Sequence, residues 1–229
     1  METDSGPLPE RWQQAQSVEH EYWRTHKHPE DREFWQRVLK SGFDLNLDFF
    51  ANKDVLEVGP GPCGMIYALT KARSRIGIEP MDMSGFIEEW KNSFVQKGVG
   101  EALPFDDEYF DIVICFNVLD HCEKPSLVMR ESWRVLRKGG IMLLWVHTLR
   151  NPYRILQRLL NRLDRPHPYH FTRYQVIEMV KKHFTIQWEK WVKGAGLAGQ
   201  AKTYGNLKVA LANYVTESLT MRLVRATAS

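Results

Sequence analysis

Two carboxylates beside a glycine turn are the residues of this chain most clearly placed for chemistry. Glu57 ends the apolar run Val55, Leu56 and Val58, and Gly59, Gly61 and Gly64 follow directly. Such a run makes a strand buried on both faces, and glycines after it let the chain turn sharply and a ligand approach the backbone. Residues 65–71 hold good helix formers, so strand, turn and helix open a nucleotide-binding α/β unit with its ligand at the helix N-terminus. The spacing Gly59-x-Gly61-x-x-Gly64 also fits a dinucleotide fingerprint. Glu57, however, sets a fixed anion at the strand end, and Pro60 and Pro62 take two N–H donors out of the turn. A ligand bearing an ammonium group suits this turn better than a pyrophosphate. Glu79 lies twenty positions beyond Gly59, where such units place a carboxylate on ribose hydroxyls, a charge-assisted, bidentate contact.

The run Glu57-Val58-Gly59-Pro60-Gly61-Pro62-Cys63-Gly64 resembles the first motif of the class I S-adenosylmethionine-dependent methyltransferases. Three further stretches follow in that family's order: Glu79-Pro80; Gly100-Glu101-Ala102-Leu103-Pro104-Phe105 with Asp106 to Asp111; and Arg134-Val135-Leu136-Arg137-Lys138-Gly139-Gly140. Together they cover residues 54–147. The resemblance implies S-adenosyl-L-methionine as cofactor and S-adenosyl-L-homocysteine as product. It assigns Glu57, Gly59, Pro60, Gly61 and Gly64 to the methionine and ribose portion, and Glu79, Pro80 and Met81 to the ribose side. Glu101, Ala102 and Leu103 fall to the adenine, with Asn117, Val118 and His121 closing the cofactor pocket.

Methyl transfer from a sulfonium is an in-line displacement that asks an enzyme mainly for alignment, and for a general base when the nucleophile must lose a proton. His121 after the fourth strand and His147 at the end of the fifth are the candidate bases, with His167, Tyr169 and His170 as alternates on the following loop. Each histidine has a plainer reading as a hydrogen-bonded residue at a strand end. The histidines show no ligand-like spacing, so no metal is expected.

The elements that must position these groups are those of an α/β fold: a Rossmann-like seven-stranded, mostly parallel sheet flanked by helices, with the last strand antiparallel. Strands are expected over residues 75–79, 93–96, 111–116, 141–147, 184–192 and 215–226, besides the first at 55–58. Helices are expected over 86–90, over 125–137 with a glycine close, and after the N-cap Thr172. Residues 1–50 form an N-terminal helical extension or lid, residues 51–229 the cofactor-binding domain, and residues 151–171 an insertion over the active site. Within the extension, residues 12–24 leave one apolar helix face, and a second helix opens at Pro29 with Phe34, Trp35, Val38 and Leu39 inward. Trp12, Tyr22 and Trp23 suit core packing, with a substrate wall as the alternative. Residues 1–9 have little to bury, and the glycines of residues 193–205 mark a flexible loop over the site.

Composition excludes more than it selects. The 229 residues are 43% hydrophobic and 26% charged, with a net charge of +3. That charge is too small to argue for nucleic acid or an anionic membrane surface. Three scattered cysteines fit a reducing compartment, and neither a signal peptide nor a membrane span is legible, so the expected setting is cytoplasmic. The expected partner is a small-molecule substrate and the expected assembly a monomer or homodimer. No Asn-Pro-Pro-Tyr-like tetrapeptide follows the fourth strand, where the sequence reads Asn117-Val118-Leu119-Asp120. In the resembled superfamily that tetrapeptide marks methylation of planar amino groups. The competing classes are a cofactor-holding partner subunit without catalysis and an NAD-dependent oxidoreductase, which Pro60 and Pro62 disfavour.

Overall fold

The computed structural model describes residues 10–25, 32–87, 91, 93–163, 167–193 and 215–226. Eight strands form one sheet: β1 (Asp54–Val58), β2 (Ser74–Glu79), β3 (Val95–Lys97), β4 (Phe110–Phe116), β5 (Leu136–Leu149), β6 (Phe171–Thr172), β7 (Phe184–Lys193) and β8 (Thr216–Arg225). Their order is β3-β2-β1-β4-β5-β8-β7, with β6 paired beside β5. β1 to β5 pair in parallel, and β8 runs antiparallel to both β5 and β7. The expected architecture is present, with the two-residue β6 added.

Alternation along β4 shows why the sheet is covered on both sides. Val113 and Cys115 face a core with Val128, Val135, Val176 and Val180, drawn from α3 (Pro125–Val135) and α5 (Arg173–Lys181). Ile112, Ile114 and Phe116 face the other core, where Trp35, Val38, Leu39, Phe43 and Phe50 pack. These come from α2 (Arg32–Val38), the π-turn Leu39–Phe43 that continues it, and the 3₁₀ turn Leu47–Phe50. Gly42 O accepts from Thr220 Oγ1 (2.6 Å) and Trp188 Nε1 (3.3 Å), so the segment before β1 is tied to the far strands. α1 (Glu10–Thr25) lies apart from that core. Among the described residues no helix is long and apolar enough to cross a membrane.

Several boundaries differ from the pattern-based expectation. Residues 65–71 form only the 3₁₀ turn Met65–Ala68, with the Tyr67 and Leu69 N–H groups on the carbonyls three residues back, Gly64 O and Ile66 O. Arg75 donates to Ile66 O and Tyr67 O, and Arg32 to Ala68 O. α3 ends at Val135 instead of running to a glycine close; fully buried Leu136 is already extended and opposite Phe110, and Gly139 (φ +73°) sits in a bulge within β5. Residues 151–163 split into the 3₁₀ helix Asn151–Leu156 and α4 (Gln157–Leu163). Phe86 lies in a turn, its N–H on Met83 O. The expected helix start at Pro29, residues 88–90 and 194–205, and residues 1–9 lie outside the described residues. Thr172 caps α5 as expected, in a capping box with Gln175.

Arg134 on α3 ties down the loop after β3. It donates to Leu103 O (2.9 Å), Phe105 O (2.7 Å), Asp107 Oδ1 (2.8 Å) and Glu131 Oε2 (2.8 Å). Glu131 is buried and also accepts from the Leu103 N–H. Arg134→Ala strands that carboxylate, and unfolding experiments in denaturant are expected to show a loss of about 3 kcal/mol. A loss within experimental error would show that the loop holds itself.

Candidate active site

The site begins where β1 hands over to the glycine turn. Glu57 is 2% exposed, and both carboxylate oxygens accept backbone N–H groups, from Met65 (3.2 Å) and Ile66 (2.6 Å). The carboxylate therefore folds the turn back onto β1, whatever else it contacts. Gly59 (φ +67°) and Gly61 (φ +51°) both take the left-handed conformation, which glycine adopts without a Cβ clash. A Cβ at Gly59 would stand 2.6 Å from Val118 Cγ2, while one at Gly61 would project into the cavity, 3.6 Å from the Trp23 ring. Gly64 passes so close to Pro60 that a Cβ would lie 2.5 Å from its Cβ. Tyr67 Oη donates to Gly61 O (2.9 Å) and Trp35 Nε1 to Cys63 O (3.0 Å).

Glu79, at the end of β2, accepts the Gly61 N–H on one oxygen (3.0 Å) and the Met81 N–H on the other (3.1 Å). It is 4% exposed. Burial raises its pKa to about 7, opposed by the two N–H groups and assisted by the charge of Glu19. The turn and Glu79 floor a cavity of about 520 Å³ that also takes in Pro80, Val99, Gly100, Glu101, Asn117 and Val118. Glu101 accepts from the N–H groups of Glu123 (2.8 Å) and Lys124 (3.1 Å) ahead of α3. Asn117, just past β4, has φ +54°, and its buried Oδ1 has no hydrogen-bond partner. α1 roofs the cavity with Trp12, Glu19, Tyr22 and Trp23, and Trp35, Phe116 and Trp145 wall it.

The expected bases part company. His121, His147 and His167 line the cavity. His147 faces Ser218 Oγ through Nδ1 (3.2 Å), and burial lowers its pKa. Tyr169 instead donates its hydroxyl to Glu123 O (2.7 Å), and His170 Nδ1 meets Asn161 Oδ1 (3.1 Å); neither lines the cavity. Ala102 and Leu103 miss it too. Ala102 is exposed, and Leu103 is packed into the core against α3. Met81 contributes its N–H to Glu79 without lining the cavity. Of residues 151–171, only His167 among the described residues reaches it.

A model of the methyltransferase domain family matches residues 56–144, which holds the turn, Glu79, Glu101, Asn117 and His121. The uncharacterized methyltransferase YcgJ of Bacillus subtilis is 27% identical over 190 residues, 70% of this chain and 74% of that protein. Its crystal structure superposes with a TM-score of 0.59 at 18% identity, covering 80% of this chain and 97% of the other. An uncharacterized methyltransferase of Mycolicibacterium paratuberculosis is 34% identical over 99 residues, 41% of this chain and 39% of its own length. A tRNA U34 carboxymethyltransferase of Nautilia profundicola is 29% identical over 121 residues, 48% of this chain and 39% of its own. Residues 56–144 match a methyltransferase domain, and the fold is that of the class I S-adenosylmethionine-dependent methyltransferases. That family generally uses S-adenosylmethionine.

The cavity fits such a cofactor chemically. Glu19, Glu57, Glu79 and Glu101 line it, and no lysine or arginine does so among the described residues, so a cationic ligand is favoured and a pyrophosphate opposed. The unpartnered Asn117 Oδ1 and the space above Gly61 are further open contacts. Sequence reasoning missed Glu19, Trp35, Phe116 and Trp145. Trp145 was accessible in principle, because it stands two residues before His147 on β5 and so shares its face. Trp12, Tyr22 and Trp23 turn out to wall the cavity instead of packing into the core.

Proposed function

We propose that this methyltransferase moves the methyl group of S-adenosylmethionine in line onto an oxygen or nitrogen of a small-molecule acceptor. When bound, the cofactor supplies an electrophilic methyl group on a sulfonium that leaves readily. Gly59 and Gly61 give it close access to the backbone, Glu79 and Glu101 accept from its ribose and adenine, and Glu57 places negative charge near its ammonium group. The observation that carries the acceptor class is the aromatic wall. Tyr22, Trp35, Phe116 and Trp145 line the space beside the glycine turn, which suits a compact acceptor.

His147 receives the proton. With Nδ1 toward Ser218 and a pKa lowered by burial, the imidazole is neutral near pH 7 and takes the acceptor's proton at Nε2 as the new C–O or C–N bond forms and the C–S bond breaks. The proton then passes to solvent, leaving methylated product and S-adenosylhomocysteine. His147→Gln is expected to lower kcat about a hundredfold, the smaller end of general-base contributions, with cofactor affinity unchanged. In the wild type, kcat falls as the pH drops below the histidine pKa, and the variant loses that acidic limb. Equal kcat in the two proteins would remove His147 from the reaction.

The acceptor is tested by incubating the protein with methyl-labelled cofactor and metabolite fractions, with tRNA as a parallel arm, and identifying labelled product by mass spectrometry. Label in tRNA alone would overturn the small-molecule reading. Binding of cofactor with no label transferred in either arm would favour the non-catalytic subunit.

A further inference from the structure

We infer that Asp120, His121 and His167 form a divalent-metal site beside the cavity, suited to zinc or another late first-row cation. Asp120 and His121 stand on the 3₁₀ turn Leu119–His121 after β4, and His167 comes from the segment ahead of β6. Each offers one ligand atom, and the three atoms lie within 4.8 Å of one another. Two imidazoles and a carboxylate are a donor set for zinc, iron(II), cobalt or nickel more than for magnesium or calcium. Four-coordinate zinc with Zn–N bonds of roughly 2.0–2.1 Å holds its ligand atoms about 3.4 Å apart, so the side chains must rotate inward by roughly an ångström to complete the set.

Two open donors are the independent sign of a missing ligand. Asp120 is 4% exposed and its buried Oδ1 has no hydrogen-bond partner. A buried carboxylate oxygen without a donor is unfavourable unless a cation meets it. His121 Nδ1 is likewise buried and unpartnered, with Glu19 Oε2 3.6 Å away, beyond hydrogen-bond reach. The His121 and His167 rings stand edge to face at 4.7 Å between centroids.

The backbone holds the ligands together without help from a metal. The Tyr169 N–H donates to Asp120 O (3.4 Å) and Tyr169 Oη to Glu123 O (2.7 Å), clipping the His167 segment onto the turn after β4. The His121 N–H donates to Val118 O (2.8 Å). Glu19, or the acceptor itself, could complete the coordination from the cavity side. Forty-six positions separate His121 from His167, so the sequence shows none of the short spacings by which metal sites are read. A cation here would polarise an acceptor oxygen or nitrogen beside His147. That use rests on the methyl-transfer reading, but the site itself does not.

The test is titration of the metal-stripped full chain with Zn²⁺ by calorimetry and with Co²⁺ by visible absorption, without cofactor or acceptor. One equivalent per chain is expected, with the intense cobalt bands of a four-coordinate site. Asp120→Asn and His167→Gln should each weaken binding roughly a hundredfold while circular dichroism shows the fold intact. His183→Gln, distant from the cavity, should bind as the wild type does. No saturable binding, or binding that both ligand variants retain, overturns the site. If zinc fails to bind while S-adenosylmethionine binds and is turned over, the metal site falls and the methyl-transfer reading stands.

Discussion

Gly61→Val is expected to give a folded chain whose affinity for S-adenosylmethionine falls roughly tenfold to a hundredfold. The added branched side chain would enter the space between the glycine turn and Trp23, where a Cβ alone already comes within 3.6 Å of the indole. Filling a close-fitting space of this kind opposes a ligand by about 1–3 kcal/mol, and φ +51° adds strain for a β-branched residue. That strain acts with or without ligand, so the melting temperature should drop by a modest amount as well. Gly59→Ala makes the informative contrast. Its Cβ would strike Val118 at 2.6 Å with or without ligand, so that variant should lose stability as well as binding. Isothermal titration with melting curves separates the two. Normal cofactor affinity in a folded Gly61→Val protein would mean that the turn is structural only, and the cofactor assignment would fail.

Glu57 shows how far the sequence carried and where it stopped. Its position at the end of β1, before three glycines, marked it as a site carboxylate, and the structure puts it on the cavity floor. Its attachment to the Met65 and Ile66 N–H groups was not legible, because it depends on that segment tightening into a 3₁₀ turn. Arg75 and Arg32 also reach that segment's carbonyls from outside it, contacts that no local pattern shows. Glu57→Gln should therefore disturb the turn as well as remove charge, since the amide NH₂ would face a backbone donor. β1 and β4 were readable because each is a short, mainly apolar run flanked by turn chemistry. On the loop after β3 the expected Glu101 faces the cavity, joined by Val99 and Gly100, whereas Ala102 is exposed and the core claims Leu103. The histidines divided for a reason of topology. Which of His147, His167 and His170 reaches the cavity depends on β6 pairing with β5, a contact between residues over twenty positions apart.

Lowering the pH below about 7 is expected to weaken S-adenosylmethionine binding, and Glu79 is the group responsible. Burial lifts its pKa from 4.5 to about 7 in the empty protein, the Gly61 and Met81 N–H groups hold it from rising further, and Glu19 on α1 adds repulsion. The folded chain therefore binds a proton between those values that the unfolded chain has released. Glu79 favours folding fully below pH 4.5, and that contribution, on the order of 3 kcal/mol, is lost as the pH rises through 7. Binding runs the other way. On the proposed ribose contact the hydroxyls would donate to the ionised form, so below pH 7 the cofactor would have to expel the proton, and affinity should climb about tenfold per pH unit before levelling off above pH 7. Each carboxylate oxygen keeps a lone pair free beyond its backbone N–H, which leaves the two hydroxyls their acceptors. Glu79→Gln should bind more weakly by about 1.5–3 kcal/mol above pH 7, with little slope at lower pH. It should also lose the matching slope in melting temperature. Calorimetry across this range in buffers of different ionisation heat counts the protons directly. Wild-type affinity that stays flat from about pH 5.5 to 8, or a Glu79→Gln protein that keeps the slope, would take the ribose contact away from Glu79.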